Sequence, residues 1–400
     1  MQEIKGGITA VDGFTAAGAF AGIKKNGRPD LALVFSETPC VAAAVFTKNR
    51  FPAPPLLLDR LHLRRHQGQA IVANSGNANA FTGDRGYRDA EVMAEATAQA
   101  LGIPKKMVYV ASTGVIGEFL PIDNIKKTIP ELASQLSREG GRAAAEAIMT
   151  TDTFSKEAAF AGAVGKGEVR IGGMAKGSGM IHPNMATMLG FLATDVLISP
   201  PLLQEALRAA VDRSFNRITV DGDTSTNDMV LCLANGRSGR PINAKGKAYR
   251  EFALLLEAAA LSLAKQIVKD GEGATKLIQI GVTGAPDDRS AHQVAETIAC
   301  SSLVKTAFFG EDANWGRIVA AVGNAGIPVD PKKIDLAFGA IPLLLNGAYQ
   351  GKAAESKVSA LLKQKEIEVK VNLHSGKGKA TVWTSDLTLD YIKINASYRS

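Results

Sequence analysis

One run near the middle of the sequence constrains the possible folds more than any other. Between Lys176 and Asp195 the chain carries no charged side chain, which raises the question of a membrane span. The segment His182–Asn184 lies within this run and argues against a span, because proline breaks a helix and polar groups lack partners in hydrocarbon. We therefore expect a buried segment, in which Thr187 opens an apolar run suited to a core strand.

The chain is mildly basic, and its basic residues are not concentrated in one arm. Its 400 residues carry a formal net charge of +7, with a sequence pI near 9.2. No basic stripe with interleaved aromatic residues is present, so a nucleic-acid partner is not expected. An anionic small-molecule substrate is at least as good an explanation of a locally positive site.

Cysteine usage predicts a reducing compartment. Cys40, Cys232 and Cys300 are isolated and no CxxC pair occurs, which favours buried thiols over a disulfide framework or a zinc site. The N-terminal residues lack the basic and then apolar layout of a signal peptide, and no segment is convincing as a transmembrane helix. We therefore expect a cytoplasmic protein with no membrane partner and no metal.

Strand and helix patterns alternate along the chain. The apolar run Met229–Ala234 is typical of a buried strand, and Tyr249–Val268 has the spacing of an amphipathic helix. Ser290–Thr306 predicts one further helix. Near the end, Ile367–Leu373 and Ala380–Ser385 alternate in hydrophobicity around a glycine-containing turn, which predicts a hairpin. Together these patterns predict an α+β fold, a layered sandwich of mixed β-sheets covered by helices.

Several common functional signatures are absent from the sequence. The chain has no GxxxxGK[ST], no GxGxxG between a strand and a helix, and no GxSxG, so a nucleotide-binding loop is not expected. His62 and His66 stand four residues apart in a possible helix. Their neighbours are arginines and no third ligand is near, which favours a solvated basic face over a metal site.

Four segments carry polar groups suited to a site, and three of them also have an ordinary structural explanation. Thr113–Gly114 ends a predicted strand and offers the parts of an oxyanion hole, or a simple turn. The hydroxyls of Thr150–Thr153 face either a ligand or their own backbone. Glu272 stands between two glycines, where the backbone approaches a ligand or caps a helix. The loop Asp221–Asp228 lacks the pattern of a calcium loop and is expected to be a polar network behind the central run.

Threonine chemistry is the remaining hypothesis. A hydroxyl is a weak nucleophile until a base removes its proton, and an N-terminal threonine carries that base as its own α-amine, with a pKa of about 7.7–8.0. For Thr187 to become an N-terminus, the peptide bond before it must be cut. Thr187 Oγ could attack the Ala186 carbonyl and form an ester that water then hydrolyses. From the residues alone, a buried core threonine is the alternative.

The run Lys176–Leu189 closely resembles the self-cleavage region of the ornithine acetyltransferase (glutamate N-acetyltransferase) family of arginine biosynthesis. The resemblance covers essentially the whole chain. Further segments resemble family motifs in the family's order, and together they are specific: Asn74–Ala80, Ser112–Gly117, Thr150–Thr153, Asp221–Asp228, Gly310–Arg317 and Asn395.

This resemblance implies self-cleavage between Ala186 and Thr187. The products would be an alpha chain, residues 1–186, and a beta chain, residues 187–400, which together form one catalytic unit with an N-terminal-nucleophile-like fold. It also implies that Thr187 takes the acetyl group of N²-acetyl-L-ornithine and passes it to L-glutamate by a ping-pong mechanism.

The same resemblance implies roles for individual residues and partners. Thr113 and Gly114 would stabilise the oxyanion. No cofactor is implied, and whether acetyl-CoA also serves as donor is left open. Two alpha and two beta chains would associate. The runner-up is an N-terminal-nucleophile aminopeptidase or amidohydrolase of related architecture. Substrate contacts would fall on Thr153, Lys176, Thr187, Glu272, Asn395 and Ser400, the last of which is commonly threonine in the family.

Overall fold

The computed structural model describes residues 1–182, 188–239 and 241–397 of the chain, which divide into two compact units. The first unit comprises Met1–Asn216 and Asp223–Ile267, so far as they are described. The second comprises Arg217–Gly222 and the described residues from Val268 onwards. The predicted alpha and beta chains meet at a bond outside the described residues, so their separation stays a prediction.

Strands and helices alternate along both units. No helix in the described part of the chain is long and apolar enough to cross a membrane. In chain order the strands are β1 (Gln2–Glu3), β2 (Phe14–Ala19), β3 (Leu31–Phe46), β4 (Gln67–Asn77), β5 (Val108–Val115), β6 (Lys156–Val164), β7 (Gly167–Lys176), β8 (Leu189–Thr194), β9 (Leu197–Ile198), β10 (Ile218–Thr219), β11 (Met229–Ala234), β12 (Pro241–Ile242), β13 (Leu277–Ala285), β14 (Asp335–Phe338), β15 (Ile341–Leu345), β16 (Ala348–Tyr349), β17 (Glu366–Asn372) and β18 (Gly378–Ser385). The α-helices are α1 (Pro54–Leu63), α2 (Gly83–Leu101), α3 (Ile122–Ser134), α4 (Gly141–Ala147), α5 (Pro200–Arg213), α6 (Lys247–Lys269), α7 (Asp288–Cys300), α8 (Ser302–Phe309), α9 (Trp315–Gly323), α10 (Lys352–Leu361) and α11 (Leu389–Ser397).

A mixed nine-stranded sheet forms the centre of the first unit. Its order is β1–β6–β7–β8–β11–β3–β4–β5, and β2 pairs with the long strand β3. Strands β8 and β11 run parallel to each other, and every residue of both is buried. Continuous apolar strands of this kind are typical of a sheet covered on both faces. The central uncharged run therefore leads into a core strand that begins at Leu189, as expected.

Alternate residues of this sheet contribute to two separate cores. On one face, Leu33 and Val72 pack with the apolar residues of α2 and α3. On the other face, Val34 and Ile71 pack with α4. Strand side chains alternate between faces, and each fully buried Val, Leu or Ile contributes about 1.5–3 kcal/mol. The predicted α+β class, with layered mixed sheets and helices, is confirmed.

The second unit contains a seven-stranded sheet in the order β10–β18–β13–β17–β14–β15–β16. The predicted hairpin of Ile367–Leu373 with Ala380–Ser385 is wrong, because β13 lies between the two strands, parallel to β17 and antiparallel to β18. Alternation identified both strands but not their partners. The connection after β17 crosses the end of β13, where a Cβ at Gly376 would come within 2.3 Å of the Ala285 carbonyl oxygen. Glycine at 376 therefore allows a close crossing.

The single helix predicted over Ser290–Thr306 is also wrong. Helix α7 ends at Cys300, and α8 begins at Ser302. Between them Ser301 is extended, with φ −69° and ψ 111°, and its hydroxyl accepts a hydrogen bond from the Val304 amide. A new helix begins here with a serine N-cap. The helical spacing of the sequence therefore continues, although the helix itself is interrupted at Ser301.

Two expectations about side-chain environments also need correction. His62 lies on α1 but is buried, with its Nδ1 2.7 Å from the Val108 carbonyl oxygen, so it does not belong to a solvated face. Cys40 and Cys232 are buried as expected, whereas Cys300 is exposed. In both corrections, tertiary packing decides the environment of a residue whose local pattern is ambiguous.

We expect Ser301→Ala to lower the free energy of unfolding of the second unit by about 1 kcal/mol, because it removes the N-cap of α8. Both tryptophans, Trp315 and Trp383, lie in this unit, so their fluorescence during urea unfolding reports on it. Ser302→Ala, one residue further along, is the matched control and should not lower the midpoint. Equal midpoints for the two variants would contradict the capping role.

Candidate active site

Lys176 is the centre of a polar cluster in the first unit. It ends β7, pairs with Leu189 across β7 and β8, and is 8% exposed. Its Nζ donates to Thr150 Oγ1 at 2.7 Å and to Thr113 Oγ1 at 3.4 Å. Thr113 lies on β5, and Thr150 follows α4. Three separate elements therefore bring two predicted site residues, Lys176 and Thr113, into contact.

A buried carboxylate holds this cluster in place. Asp152 Oδ1 accepts hydrogen bonds from Lys156 Nζ and from the Gly177 amide, each at 2.7 Å, and Oδ2 lies 3.9 Å from Lys176 Nζ. Burial alone raises the pKa of Asp152, but the charges of Lys176 and Lys156 outweigh burial and hold the pKa well below its usual range. The central position of Asp152 was not predicted from the sequence. The lysine four residues later could have indicated the ion pair.

The Thr113–Gly114 pair lies where β4 and β5 approach each other closely. Gly114 has φ +131°, a conformation that side chains rarely adopt. A Cβ at this position would come within 2.3 Å of the Gly76 carbonyl carbon. The backbone is therefore tightly constrained at the predicted oxyanion hole. Thr153, another predicted contact, directly follows Asp152 and is exposed.

The second half of the acidic and hydroxyl-rich loop backs the central run, as the sequence predicted. Thr224 Oγ1 donates to the His182 carbonyl oxygen at 3.1 Å. Asn227 Nδ2 donates to the carbonyl oxygens of Ala78 and Ser112, at 2.5 and 2.8 Å. One buried amide therefore ties this loop to both strand-end segments that resemble family motifs.

Asp228 lies beside Met188, the residue that follows Thr187 in the sequence. The Met188 amide donates to the Asp228 carboxyl, and the Met229 amide donates to the Met188 carbonyl oxygen at 3.1 Å. Burial raises the pKa of this carboxyl well above its usual range, and hydrogen bonds and the Lys176 charge oppose the shift only in part. Within the described ranges its Oδ2 has no hydrogen-bond partner. A buried carboxyl group with a raised pKa therefore adjoins the segment that leads to Thr187.

The second unit brings together two further predicted substrate contacts. Asn395 Nδ2 donates to Glu272 Oε2 at 2.7 Å. Glu272 is 8% exposed, and the loop that carries it is held from both sides. Thr388 Oγ1 donates to the Gly273 carbonyl oxygen at 2.8 Å, and the Asp386 carboxylate accepts the amide of Thr275. The glutamate is thus positioned by contacts far away in the sequence.

Three predicted site residues lie outside the described residues: Ala186, Thr187 and Ser400. Their roles as cleavage site, nucleophile and substrate contact stay predictions. The segment His182–Asn184 is described only at His182. In the part of the chain that the structure describes, no group of three or more His, Cys, Asp or Glu side chains could hold a metal ion.

Hydroxyl groups, an ammonium group and a backbone turn restricted by glycine are parts that acyl-transfer chemistry uses. Fold and site together define an α+β enzyme, and the polar groups of its first unit gather around the strands of one buried sheet. The sequence profile of the ArgJ family matches residues 15–400, and the chain belongs to the ArgJ family. The family relationship predicted from the motifs is therefore confirmed.

Relatives of the chain are named for arginine biosynthesis. An arginine biosynthesis bifunctional protein ArgJ from Symbiobacterium thermophilum is 53% identical over 406 residues, which cover 100% of both chains. A protein of the same name from Geobacter sulfurreducens is 50% identical over 98% of this chain and 100% of its own. The crystal structure of arginine biosynthesis bifunctional protein ArgJ from Bacillus halodurans contains a chain that is 47% identical to this one, with a TM-score of 0.52. The match covers 53% of this chain and 100% of the crystal chain. The predicted place in arginine biosynthesis is confirmed.

We expect Asp152→Asn to lower the free energy of unfolding of the first unit by about 3–5 kcal/mol at pH 7, because it leaves buried ammonium groups without their counter-charge. Folding lowers the pKa of this carboxyl, so its contribution is present above the unfolded value of about 3.9 and is lost as the pH falls. Differential scanning calorimetry should therefore show a gap between variant and wild type that narrows below about pH 4.

The matched control for this prediction is Glu146→Gln, which removes the exposed carboxylate that pairs with Arg142 in the same unit. Exposed ion pairs contribute little to stability, so this variant should unfold like the wild type. If both variants lose the same stability, or if the Asp152→Asn gap is independent of pH, then Asp152 does not hold the cluster as described.

Proposed function

We propose that the chain transfers the acetyl group of N²-acetyl-L-ornithine to L-glutamate, with Thr187 as nucleophile, after it has cut its own Ala186–Thr187 bond. The observation that carries the proposal is the position of Lys176. Its Nζ lies 3.4 Å from Thr113 Oγ1, and its backbone pairs with Leu189, two residues after Thr187. The names of the relatives, which are bifunctional proteins of arginine biosynthesis, agree with this reaction.

The share of this chain that each relative covers supports self-cleavage. The Symbiobacterium relative matches the chain from end to end, whereas the whole Bacillus crystal chain matches only 53% of this chain. Residues 187–400 are 214 of the 400 residues, which is close to that share. In the proposed step, Thr187 Oγ attacks the Ala186 carbonyl carbon and the C–N bond breaks. The nitrogen takes the hydroxyl proton, becoming the α-amine, and water hydrolyses the ester.

The transfer would then run in two half-reactions at one residue. The α-amine of Thr187 takes the hydroxyl proton while Oγ attacks the acetyl carbonyl carbon of acetylornithine. The tetrahedral oxyanion collapses, ornithine leaves with that proton on its nitrogen, and acetyl-Thr187 remains. The amine of glutamate attacks the carbonyl carbon of this ester, and the bond from that carbon to Oγ breaks. The proton lost by the amine passes through the α-amine to Oγ, so N-acetylglutamate leaves and Thr187 is regenerated, which gives ping-pong kinetics. Thr113 and Gly114 are the proposed donors to the oxyanion.

The charges and hydroxyls of the individual predicted contact residues suit the two substrates. Lys176 is the proposed partner of the α-carboxylate that both substrates carry. Glu272 is the proposed partner of the side-chain ammonium of ornithine, and the hydrogen bond from Asn395 would orient its carboxylate. Thr153 and Ser400 would add hydroxyl contacts.

No cofactor is needed for this reaction, because Thr187 would supply both the nucleophile and its base. Acetyl-CoA is the proposed second donor, since the relatives are named bifunctional. The proposed assembly is two alpha and two beta chains, and the proposed location is the cytoplasm. The same site would serve both donors, since each delivers an acetyl group to the same oxygen.

We expect Thr187→Ala to stay one uncut chain without activity, because it lacks the attacking oxygen. Thr187→Ser keeps a hydroxyl group and should retain part of the cleavage and part of the activity. A denaturing gel measures the cleavage, and an acetylornithine-to-glutamate assay measures the activity. An active, uncut Thr187→Ala protein would rule out the proposed nucleophile.

The lifetime of the acetyl-enzyme separates this proposal from an N-terminal-nucleophile aminopeptidase or amidohydrolase. Such a hydrolase would also cleave itself but would release its product to water. After mixing with acetylornithine and rapid quenching, acetyl-Thr187 should persist without glutamate and decay quickly with it. Decay at the same rate in both samples would favour the hydrolase.

We expect Glu272→Gln to raise the KM for acetylornithine about tenfold to a hundredfold, because a charge-assisted contact to the ornithine ammonium is lost. Glutamate lacks that ammonium group, so its KM should change less. Steady-state kinetics with each substrate varied in turn give both values. Glu366→Gln, an exposed carboxylate on β17 of the same unit, is the control, and equal changes in both KM values would contradict the assignment.

A further inference from the structure

A groove in the first unit lies between the end of β3, helix α1 and helix α5. It consists of two adjoining cavities of about 590 and 360 Å³, which share Ala44, Phe46, Arg60, Gln204 and Arg208. The first cavity is also lined by Lys48, and the second by Arg64 and His66. We call this feature the cationic groove, after its four permanently charged residues Lys48, Arg60, Arg64 and Arg208.

The cationic groove carries an excess of positive charge that the protein does not neutralise. Among the described residues that line it, Asp212 is the single carboxylate. None of the four cations forms an ion pair with another described residue, whereas Arg138, elsewhere in the unit, pairs with Asp12. Like charges around one cavity repel each other, so a polyanionic ligand would stabilise this arrangement.

Several lining groups are already held in position without a ligand. Arg60 Nη2 donates to the Thr47 carbonyl oxygen at 3.2 Å, and its guanidinium carbon lies 5.5 Å from the centre of the Phe46 ring. Gln204 is fixed by two hydrogen bonds to the backbone of Ala44. The buried Nδ1 of His66 has no hydrogen-bond partner in the described chain. The groove therefore offers charged donors, and contacts within the protein hold Arg60 and Gln204 in position.

Backbone hydrogen bonds connect the cationic groove to the segment that leads to Thr187. Thr47, whose carbonyl oxygen holds Arg60, donates its amide to the Asp228 carbonyl oxygen at 2.9 Å. The next residue, Met229, donates to the Met188 carbonyl oxygen at 3.1 Å. Both contacts belong to the first unit, and a single strand, β11, lies between β3, which ends at the groove, and β8, which follows Met188.

We propose that the cationic groove binds the phosphate groups of coenzyme A when acetyl-CoA serves as the acetyl donor. Arginine recognises phosphate through paired, planar hydrogen bonds, and the groove supplies three guanidinium groups and one ammonium group. Coenzyme A carries a pyrophosphate and a 3′-phosphate on its nucleotide end, and its flexible arm carries the acetyl group away from that end. Acetylornithine has no phosphate and does not use the groove. This inference rests on one part of the proposed function, the use of acetyl-CoA as the second acetyl donor.

The kinetic test uses the double variant Arg64→Gln/Arg208→Gln, because neither side chain takes part in a hydrogen bond or ion pair among the described residues. We expect its KM for acetyl-CoA to rise at least tenfold, while its kinetics with acetylornithine stay within twofold of wild type. Retained acetylornithine activity also shows that the variant is folded. Arg289→Gln, an exposed arginine on α7, is the control and should change neither donor. An unchanged KM for acetyl-CoA, or equal losses with both donors, would overturn the proposal.

A binding test shows whether the cationic groove binds these phosphate groups, even if the wild type does not use acetyl-CoA as a donor. Isothermal titration at one fixed ionic strength compares coenzyme A, dephospho-coenzyme A, adenosine 3′,5′-bisphosphate and inorganic phosphate. We expect the bisphosphate to bind wild type and to bind the double variant at least tenfold more weakly, and coenzyme A to bind more tightly than its dephospho form. Equal affinity for variant and wild type, or inorganic phosphate binding as tightly as the bisphosphate, would overturn it. Activity with acetylornithine tests the proposed function separately.

Discussion

The pairing of one buried carboxylate with two lysines determines the geometry of the site in the first unit. Asp152 accepts hydrogen bonds from Lys156 and from the Gly177 amide, and it lies 3.9 Å from the Lys176 ammonium. Charges are tolerated at this depth only when they are paired, so the three residues hold each other in place. The consequence is a fixed end for β7, where Lys176 meets Thr113 on one side and pairs with Leu189 on the other.

Features that depend on local pattern could be predicted from the sequence. Met229–Ala234 is a strand at the residues expected, because a short apolar run between polar loops is typical of a buried strand. Helix α6 differs from its predicted bounds by two residues at one end and one at the other. The run from Lys176 to Leu189 identified the family, since its residues resemble a specific motif, and the profile match confirms that assignment.

Features that depend on contacts distant in the sequence could not be predicted. Nothing in the alternation of β17 and β18 indicates that β13 is inserted between them, because the strand's own pattern is the same with either neighbour. The hydrogen bond from Asn395 to Glu272 joins residues 123 positions apart. The resemblance named both as substrate contacts, but their direct pairing is visible only in the structure.

We propose that the working enzyme is a cut chain whose new N-terminus is Thr187. Intact mass measurement of the purified, active protein, combined with N-terminal sequencing, tests this cleavage. We expect two polypeptides, residues 1–186 and 187–400, with threonine at the start of the second. After brief exposure to acetylornithine, only the second should gain the mass of one acetyl group. A fully active protein that consists of one uncut chain of 400 residues would show that Thr187 does not act as an N-terminal nucleophile.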